Sequence, residues 1–481
     1  MRRGPRLPAR ADRDGREHAG GMSQVTTTDL YEITMAMSYL NEGMAEDATF
    51  SLFVRELPPG RGFLVAAGLE PALDYLHEFE VTPDDARVFA EALHRPPADL
   101  APLVGLRFEG EVRAVPEGRL VFAGEPLLEV TAPLPQAQLA ETYLLSLVCH
   151  QTAVASKAAR CVLAARGRPV VDFSLRRTHG PQAGFQAARL GGMAGFAGTS
   201  NVDAAVRLGL AASGTMAHSY IEAFDSEEDA FRAFARTHPG PVTLLVDTYD
   251  TGRGVATAAE VLAGLGRGPG CAIRLDSGDL GELAHRSRAQ LDAAGLPDVR
   301  IIASGGLDEY AIDDLIRSGA PIDVFAVGTR VGTAADAPYL DAAYKLVAYD
   351  GRPVMKLSSA KATAPAPKQV YRRPGAADVI ALRDEDPPPG GDPMLRTVMR
   401  DGRRTGPPDS LTAARSRLDA DLGAVPAGAR RIRDPQAPVP AVSERLSRLT
   451  EEVRRRLLAE LDGTGTDGGT GGQHRPAPRR P

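Results

Sequence analysis

The sequence predicts an α/β chain in which a parallel sheet wound with helices adjoins a smaller β-rich domain. Between Val170 and Val331, short apolar runs alternate with helix-compatible segments, the pattern of successive βα units. Those runs end in SLRRTHG, GTSN, GTMAHS, DTYDT, DSGD, SGG and GTR. Polar and glycine-rich residues therefore collect at the carboxyl ends of the strands, where closed barrels and open doubly wound sheets both assemble their sites. Ahead of this region the alternation gives way to short β-like runs broken by Gly and Pro.

Residues 29–43 read as an amphipathic helix capped by Thr28 or Asp29 and stopped by Gly43. Strands are expected at Thr49–Val54, Phe63–Ala66, Leu106–Val115, Arg119–Phe122 and Leu127–Thr131, with helices inserted between the second and third. A long helix over Gln136–Arg166 leads into the regular part. Its strands are expected at Pro169–Phe173, Gly195–Ala197, Ala212–Thr215, Val242–Val246, Cys271–Leu275, Val299–Ala303 and Asp323–Val327. Helices fit Asn201–Leu208, Glu227–Arg236, Ala256–Leu265, Gly281–Ala293 and Glu309–Ser318. Lys345–Tyr349 and Val354–Leu357 read as a strand pair around the Asp350–Gly351 turn, returning to the first β-rich domain, and a helix over Ser443–Glu460 closes the ordered chain. The organisation expected is a disordered extension (1–22, with Met22 an alternative start), a helix and β-rich domain (23–135), a catalytic α/β domain (136–340), a return to the β-rich domain with a terminal helix (341–462), and a disordered Gly/Thr/Pro/Arg-rich tail (463–481).

Composition narrows the function. The 481 residues are 43% hydrophobic, enough for a sizeable core, and the net charge of -6 with a pI near 5.9 argues against a nucleic-acid groove. Three cysteines, Cys149, Cys161 and Cys271, form no C-x-x-C pair and read as reduced core residues of a cytoplasmic protein. No apolar run approaches the roughly 20 residues of a membrane span. Only five lysines, Lys157, Lys345, Lys356, Lys361 and Lys368, stand against fifty-one arginines, and four of the five lie close together. Such retention hints at work for a compact charge, such as holding a phosphate.

The candidate chemistry lies in the strand-end runs. Asp172, Arg176, Arg177 and His179 share DFSLRRTHG; guanidinium groups just past a strand suit a carboxylate or phosphate, and a period-2 reading points Arg176 inward. His218 in GTMAHS offers an imidazole, nucleophilic at neutral pH and able to accept and release a phosphoryl group. Asp247 in LLVDTYDT is the best-placed carboxylate to orient that ring, with Glu222 and Asp250 competing. Arg274, Asp276, Ser277 and Asp279 in IRLDSGD could hold ribose hydroxyls or a Mg²⁺-bound pyrophosphate, although Asp279 equally suits a helix cap. Ser304-Gly305-Gly306 and Gly328-Thr329 follow two successive strands and fit a phosphate site, because glycines let backbone N–H groups approach the anion.

In order and spacing, these runs resemble the nicotinate phosphoribosyltransferase family. The matching stretches are TTDLYEITMA (27–36), RGFLVAAGLE (61–70), DFSLRRTHG (172–180), GFAGTSN (195–201), GTMAHS (214–219), VDTYDT (246–251), IRLDSGD (273–279), IIASGGLDE (301–309) and VGT (327–329). The resemblance implies an irregular TIM-like α/β barrel of the type II phosphoribosyltransferase kind with an adjoining β-rich domain, acting as a homodimer with a shared active site. It also implies that nicotinate and phosphoribosyl pyrophosphate give nicotinate mononucleotide, with Mg²⁺ on the pyrophosphate and ATP hydrolysis coupled through a phosphohistidine. By that resemblance His218 is the phosphorylated residue, Asp247 orients it, and Asp276 acts beside it. Phe173 stacks on the pyridine ring, Tyr31 of a second subunit covers its other face, Arg176 and Arg274 meet substrate anions, and Ser304, Gly305, Gly306, Gly328 and Thr329 hold the phosphate. In related nicotinamide enzymes the position of Ser200 resembles an Asp; Ser200 removes its repulsion of a carboxylate and favours nicotinate. The stretch from 371 to 481 carries no matching motif.

Two other classes compete. A sugar-phosphate aldolase or isomerase would commonly want a Schiff-base lysine at a strand end, yet no lysine occurs between Lys157 and Lys345. A silent barrel that only senses a pyridine nucleotide would not need His218, Asp247 and Asp276, and all three are present.

Overall fold

A computed structural model describes residues 24–357 and 363–464, together with the paired strands Arg10–Ala11 and Glu17–His18. The expectations for 1–22 and 463–481, and any role of Lys361, fall almost wholly outside those residues.

Helix α1 (Leu30–Asn41) begins at Asp29, whose carboxylate accepts from the Thr142 hydroxyl rather than capping its own helix. Strands β1 (Asp47–Val54), β2 (Glu111–Ala114) and β3 (Pro126–Pro133) follow, and the expected long helix breaks at Ala140 into Leu134–Leu139 and α2 (Glu141–Ala165). Six short strands come next: β4 (Val170–Asp172), β5 (Gly198–Thr199), β6 (Thr243–Leu245), β7 (Ala272–Leu275), β8 (Arg300–Ala303) and β9 (Val324–Val327). Gly195 caps the helix Pro181–Ala194, so the strand expected at 195–197 starts later, at Gly198.

The six strands pair in parallel in the order β6-β7-β8-β9-β4-β5. Past β5 the ladder thins to one parallel bridge, Thr199 to Ala212, with the Ser213 amide donating to the Thr199 carbonyl at 2.9 Å. The strand expected at Ala212–Thr215 is reduced to this contact. The Thr215 hydroxyl then donates to the Thr243 carbonyl on β6 at 2.7 Å, and the ring closes. The sheet is therefore an irregular, TIM-like barrel and not an open doubly wound sheet. Its alternate residues separate as period 2 requires. Ile273, Leu275, Ile301, Phe325 and Val327 join the large core shared with the helices, whereas Val171, Val324 and Ala326 pack with Phe173 and Ile302 as a small cluster inside the ring.

Strand β10 (Ala342–Tyr349) leaves the barrel and lies antiparallel to β1, beside β11 (Arg352–Pro353). Asp350 and Gly351, with φ of 48° and 67°, make the two-residue hairpin turn with both residues left-handed. That tight turn brings the partner strand in at Arg352 and Pro353, so the strand expected at 354–357 is displaced. The whole antiparallel sheet reads β11-β10-β1-β3-β2, then Arg396–Arg400 and Arg403–Arg404. A smaller four-stranded sheet and the helices Leu411–Ala424 and Glu444–Thr464 complete the described chain. No helix among the described residues is long and apolar enough to cross a membrane.

The retained lysines are not one phosphate cluster. Lys368 is buried, donates to the Ala364 and Ala366 carbonyls at 3.0 and 2.8 Å, and stands 3.8 Å from Glu129. Burial pushes its ammonium down to about 8, against the pull of Glu129. It is a structural cation.

Candidate active site

The residues that converge do so because the parallel strands all end on one side of the ring. Arg274, on β7, points into the barrel beside Ile302 and is buried. Its guanidinium reaches the end of its own strand and two neighbouring segments, donating to Asp276 Oδ1 at 2.8 Å, Ser304 Oγ at 2.8 Å and the Met216 carbonyl at 3.3 Å. It also lies 5.7 Å from the centre of the Phe173 ring, just past β4. The Ser304 hydroxyl donates to Asp276 Oδ1 at 2.5 Å. Burial opposes ionisation of Asp276, but the hydrogen bonds from Ser304 and Arg274, with the charges of Arg274 and His218, outweigh it and hold the carboxyl below its ordinary range.

His218 opens the short helix His218–Glu222. Its Nδ1 stands 3.1 Å from Thr248 Oγ1 and its Nε2 stands 3.8 Å from Asp276 Oδ2. Asp247 does not fill the orienting position expected of it. Its Oδ2 accepts instead from the Asp276 amide at 2.9 Å and the Ser277 hydroxyl at 2.7 Å, tying the end of β6 to the turn after β7. The other oxygen, Oδ1, is buried without a hydrogen-bond partner. Asp250 caps the helix Thr251–Gly264 through the Arg253 amide, and Glu222 is exposed, so neither competes for the ring. Asp279 likewise caps the helix Leu280–Ala293 through the amides of Gly281 and Glu282.

The two glycine loops lie around this network. Gly305 has φ of 89°, and a Cβ there would stand 2.0 Å from the Asp276 carbonyl oxygen; Gly328 backs onto the Phe173 carbonyl. Thr329 is exposed at the start of Thr329–Gly332. The hydroxyl of Ser304, expected at the phosphate, is bonded to Arg274 and Asp276. Ser200 is exposed at the end of β5, its amide donating to the Asp172 carbonyl at 2.8 Å, while the Asp172 side chain takes the Ser174 amide and Thr199 hydroxyl.

Two expected residues stand apart within the chain. Leu175–Arg177 is a 3-10 turn, so a strand alternation does not apply; Arg176 and Arg177 are both exposed, without an ion-pair partner among the described residues. Tyr31 is 45% exposed on α1, beside Glu141 and Thr142; burial and the charges of Glu141, Glu32 and Asp29 push its phenol up, against a hydrogen bond with Thr142. Sequence reasoning passed over Thr248, although it adjoins Asp247 in VDTYDT, because a hydroxyl carries little motif signal. A separate cavity of about 270 Å³, lined by Leu120, Phe122, Arg372 and Pro426 among others, lies in the C-terminal part and contains none of these residues.

A family model described as nicotinate phosphoribosyltransferase (NAPRTase) N-terminal domain matches residues 26–149, and one described as quinolinate phosphoribosyl transferase, C-terminal domain, matches residues 154–342. Nicotinate phosphoribosyltransferase pncB2 of Mycobacterium tuberculosis is 46% identical over 452 residues, spanning 92% of this chain and 96% of that protein. The chain belongs to the nicotinate phosphoribosyltransferase family. Within that family, the nicotinate phosphoribosyltransferase of Bacillus subtilis is 44% identical over 373 residues, 74% of this chain and 76% of that protein. The crystal structure of human nicotinic acid phosphoribosyltransferase superposes with a TM-score of 0.75 at 30% identity, covering 89% of this chain and 99% of that one. The two matched regions of this nicotinate phosphoribosyltransferase family member correspond to α1 with strands β1, β2 and β3 of the antiparallel sheet, and to the barrel.

Proposed function

We propose that this protein joins nicotinate to phosphoribosyl pyrophosphate, giving nicotinate mononucleotide and pyrophosphate, and couples the reaction to ATP hydrolysis through phosphorylated His218. The reaction is then of the ligase type and stands at the entry of nicotinate into cytoplasmic NAD synthesis. The observation that carries the reading is an imidazole held through Nδ1, with Nε2 beside the Asp276–Arg274–Ser304 network at the strand ends. Family membership supports the substrates.

In this reading the pyridine nitrogen of nicotinate forms a bond to the anomeric carbon as the bond to pyrophosphate breaks, and the electron pair leaves on the pyrophosphate oxygen. Phe173 stacks on the ring and Tyr31 of a second subunit covers its other face, which calls for a homodimer. Ser200 donates to the carboxylate, with Arg274 and Arg176 answering negative charge on the substrates. Backbone N–H groups at Gly305, Gly306, Gly328 and Thr329 hold the phosphate. His218 Nε2 accepts the γ-phosphoryl group of ATP as ADP leaves, and water later releases it. A divalent cation fits the unpartnered Asp247 Oδ1 and the Asp276 carboxylate. Among the described residues no group of three or more acidic, His or Cys side chains gathers for a metal, so Mg²⁺ would share its ligands with substrate phosphates and neutralise the departing pyrophosphate.

The test is mass spectrometry of products from nicotinate, phosphoribosyl pyrophosphate and Mg²⁺, with and without ATP, and with nicotinamide in parallel. Nicotinate mononucleotide with ADP is expected. Absence of a mononucleotide from nicotinate overturns the reading.

A further inference from the structure

The one lysine ahead of residue 345 is Lys157, and it is among the largest fully buried side chains. Its ammonium, from the middle of α2, lies 2.5 Å from Glu309 Oε2 and 2.8 Å from Asp336 Oδ1. Glu309 immediately follows the Ser304–Asp308 loop, and Asp336 lies on the segment leaving Thr329–Gly332. One ammonium therefore joins the chain segments that leave the two glycine loops. Arg61 grips Asp336 with two bonds of 2.7 and 3.0 Å, and Arg160 Nε donates to Glu309 Oε1 at 3.0 Å. Nearer the loops, Arg330 Nη1 donates to Asp308 Oδ2 at 3.0 Å, while Asp308 Oδ1 caps the helix Glu309–Arg317. The two loops are thus tied beside the site by Arg330 and beneath it by Lys157 and, more loosely, by Arg61, whose Nη1 stands 3.4 Å from Glu309 Oε1.

We propose that Lys157 is a positioning residue that sets the spacing of the Ser304–Asp308 and Gly328–Gly332 loops and, through it, the affinity for the phosphorylated donor. This rests on the reading of those loops as the phosphate site. The retained lysine follows from the geometry. Arg61 and Arg160 already occupy two sides of the carboxylates, and between them fits a compact ammonium with three donors rather than a third planar fork.

Charge decides which variant to use. The cluster holds three cations, Arg61, Lys157 and Arg160, against Glu309 and Asp336. Removing a carboxylate leaves an excess of buried positive charge, which is strongly destabilising. Removing Lys157 leaves two cations matched to two carboxylates, so Lys157→Met retains a balanced core and loses the closer of the two bridges, leaving the longer Arg61 contact to Glu309.

Steady-state kinetics and donor titration calorimetry on the full chain, with circular dichroism to check folding, test this. For Lys157→Met, KM and Kd for phosphoribosyl pyrophosphate should rise about tenfold, while kcat and the KM for nicotinate change less than about twofold. Lys157→Gln, which keeps a donor to one carboxylate, should fall between the two. An unchanged donor constant, or an equal loss in all parameters, overturns the proposal. So does failure of both variants to fold, which makes Lys157 a core residue only. A wild-type chain that binds the donor but makes no mononucleotide sinks the functional reading, and the calorimetry still judges Lys157.

Discussion

Thr248 Oγ1 lies 3.1 Å from Nδ1 of His218. A ring nitrogen held in this way fixes the imidazole and leaves Nε2 as the nitrogen free to act. Thr248→Val removes the contact and keeps the shape. We expect ATP-dependent phosphate incorporation into the protein to slow by about tenfold, with the ATP-independent reaction little changed. His218→Ala, expected to abolish incorporation, sets the floor of that assay, and incorporation at the wild-type rate in Thr248→Val would remove Thr248 from the chemistry.

On the proposed reading, Ser200 sets which pyridine is preferred. It is exposed at the end of β5, next in space to the Asp172 carbonyl and in sequence to the barrel wall. Ser200→Asp places a carboxylate that accepts from an amide and repels nicotinate, so the ratio of kcat/KM for nicotinate over nicotinamide should fall at least about tenfold. Competition between the two bases, read by mass spectrometry, measures the ratio directly; an unchanged ratio places the substrate carboxylate elsewhere.

The two adjacent loop glycines should respond differently. A Cβ on Gly305 meets the Asp276 carbonyl oxygen at 2.0 Å, whereas one on Gly306 meets nothing within 4 Å. Gly306→Ala should cost about 1 kcal/mol, from its left-handed backbone alone. Gly305→Ala must also displace the Asp276 turn, and we expect about 3 kcal/mol or more with loss of activity. Urea unfolding of both variants reports the difference.

Glu32 gives the stability a pH dependence. Its carboxylate is buried, accepts from the Thr28 hydroxyl at 2.5 Å and the Thr142 amide at 2.8 Å, and burial raises it from 4.5 to about 7. The native state therefore holds this proton more tightly than the unfolded chain does. Its contribution is fully present below 4.5 and is lost as pH rises through about 7. Glu32→Gln should match wild type in Tm at the acid end of that window and exceed it at pH 8. A Tm difference that does not vary across the window would show that Glu32 stays charged.

Much of the barrel was legible because its signals are local. The strand ends at Asp172, Asp247, Asp276 and Ser304 follow from short apolar runs with polar stops, and Arg274 and Asp276 share one turn. What was not legible depended on partners far apart in sequence. Thr248 meets His218 across 30 residues, and the Asp276 amide claims the Asp247 carboxylate that the motif assigned to the ring. The inward orientation read for Arg176 failed for a different reason: Leu175–Arg177 leaves the strand for a 3-10 turn, which no alternation can anticipate. Lys157, Glu309 and Asp336 carry no motif at all, since their meeting is made by α2 packing across both loops.

The seam between β5 and β6 has a kinetic meaning. The other strands share continuous ladders, whereas here the ring is held by the two backbone bonds of the Thr199–Ala212 bridge, Thr199 amide to Ala211 carbonyl and Ser213 amide to Thr199 carbonyl, and by the Thr215 hydroxyl. A joint with so few bonds should part at a lower free energy than the rest of the ring, as a sub-global fluctuation of the folded protein. Met216 and His218 lie directly beyond it. In the proposed cycle the histidine meets a nucleotide in one half and a pyrophosphate-bearing sugar in the other. A stretch hinged at the seam can exchange between those two encounters while Arg274, Asp276 and the glycine loops stay fixed.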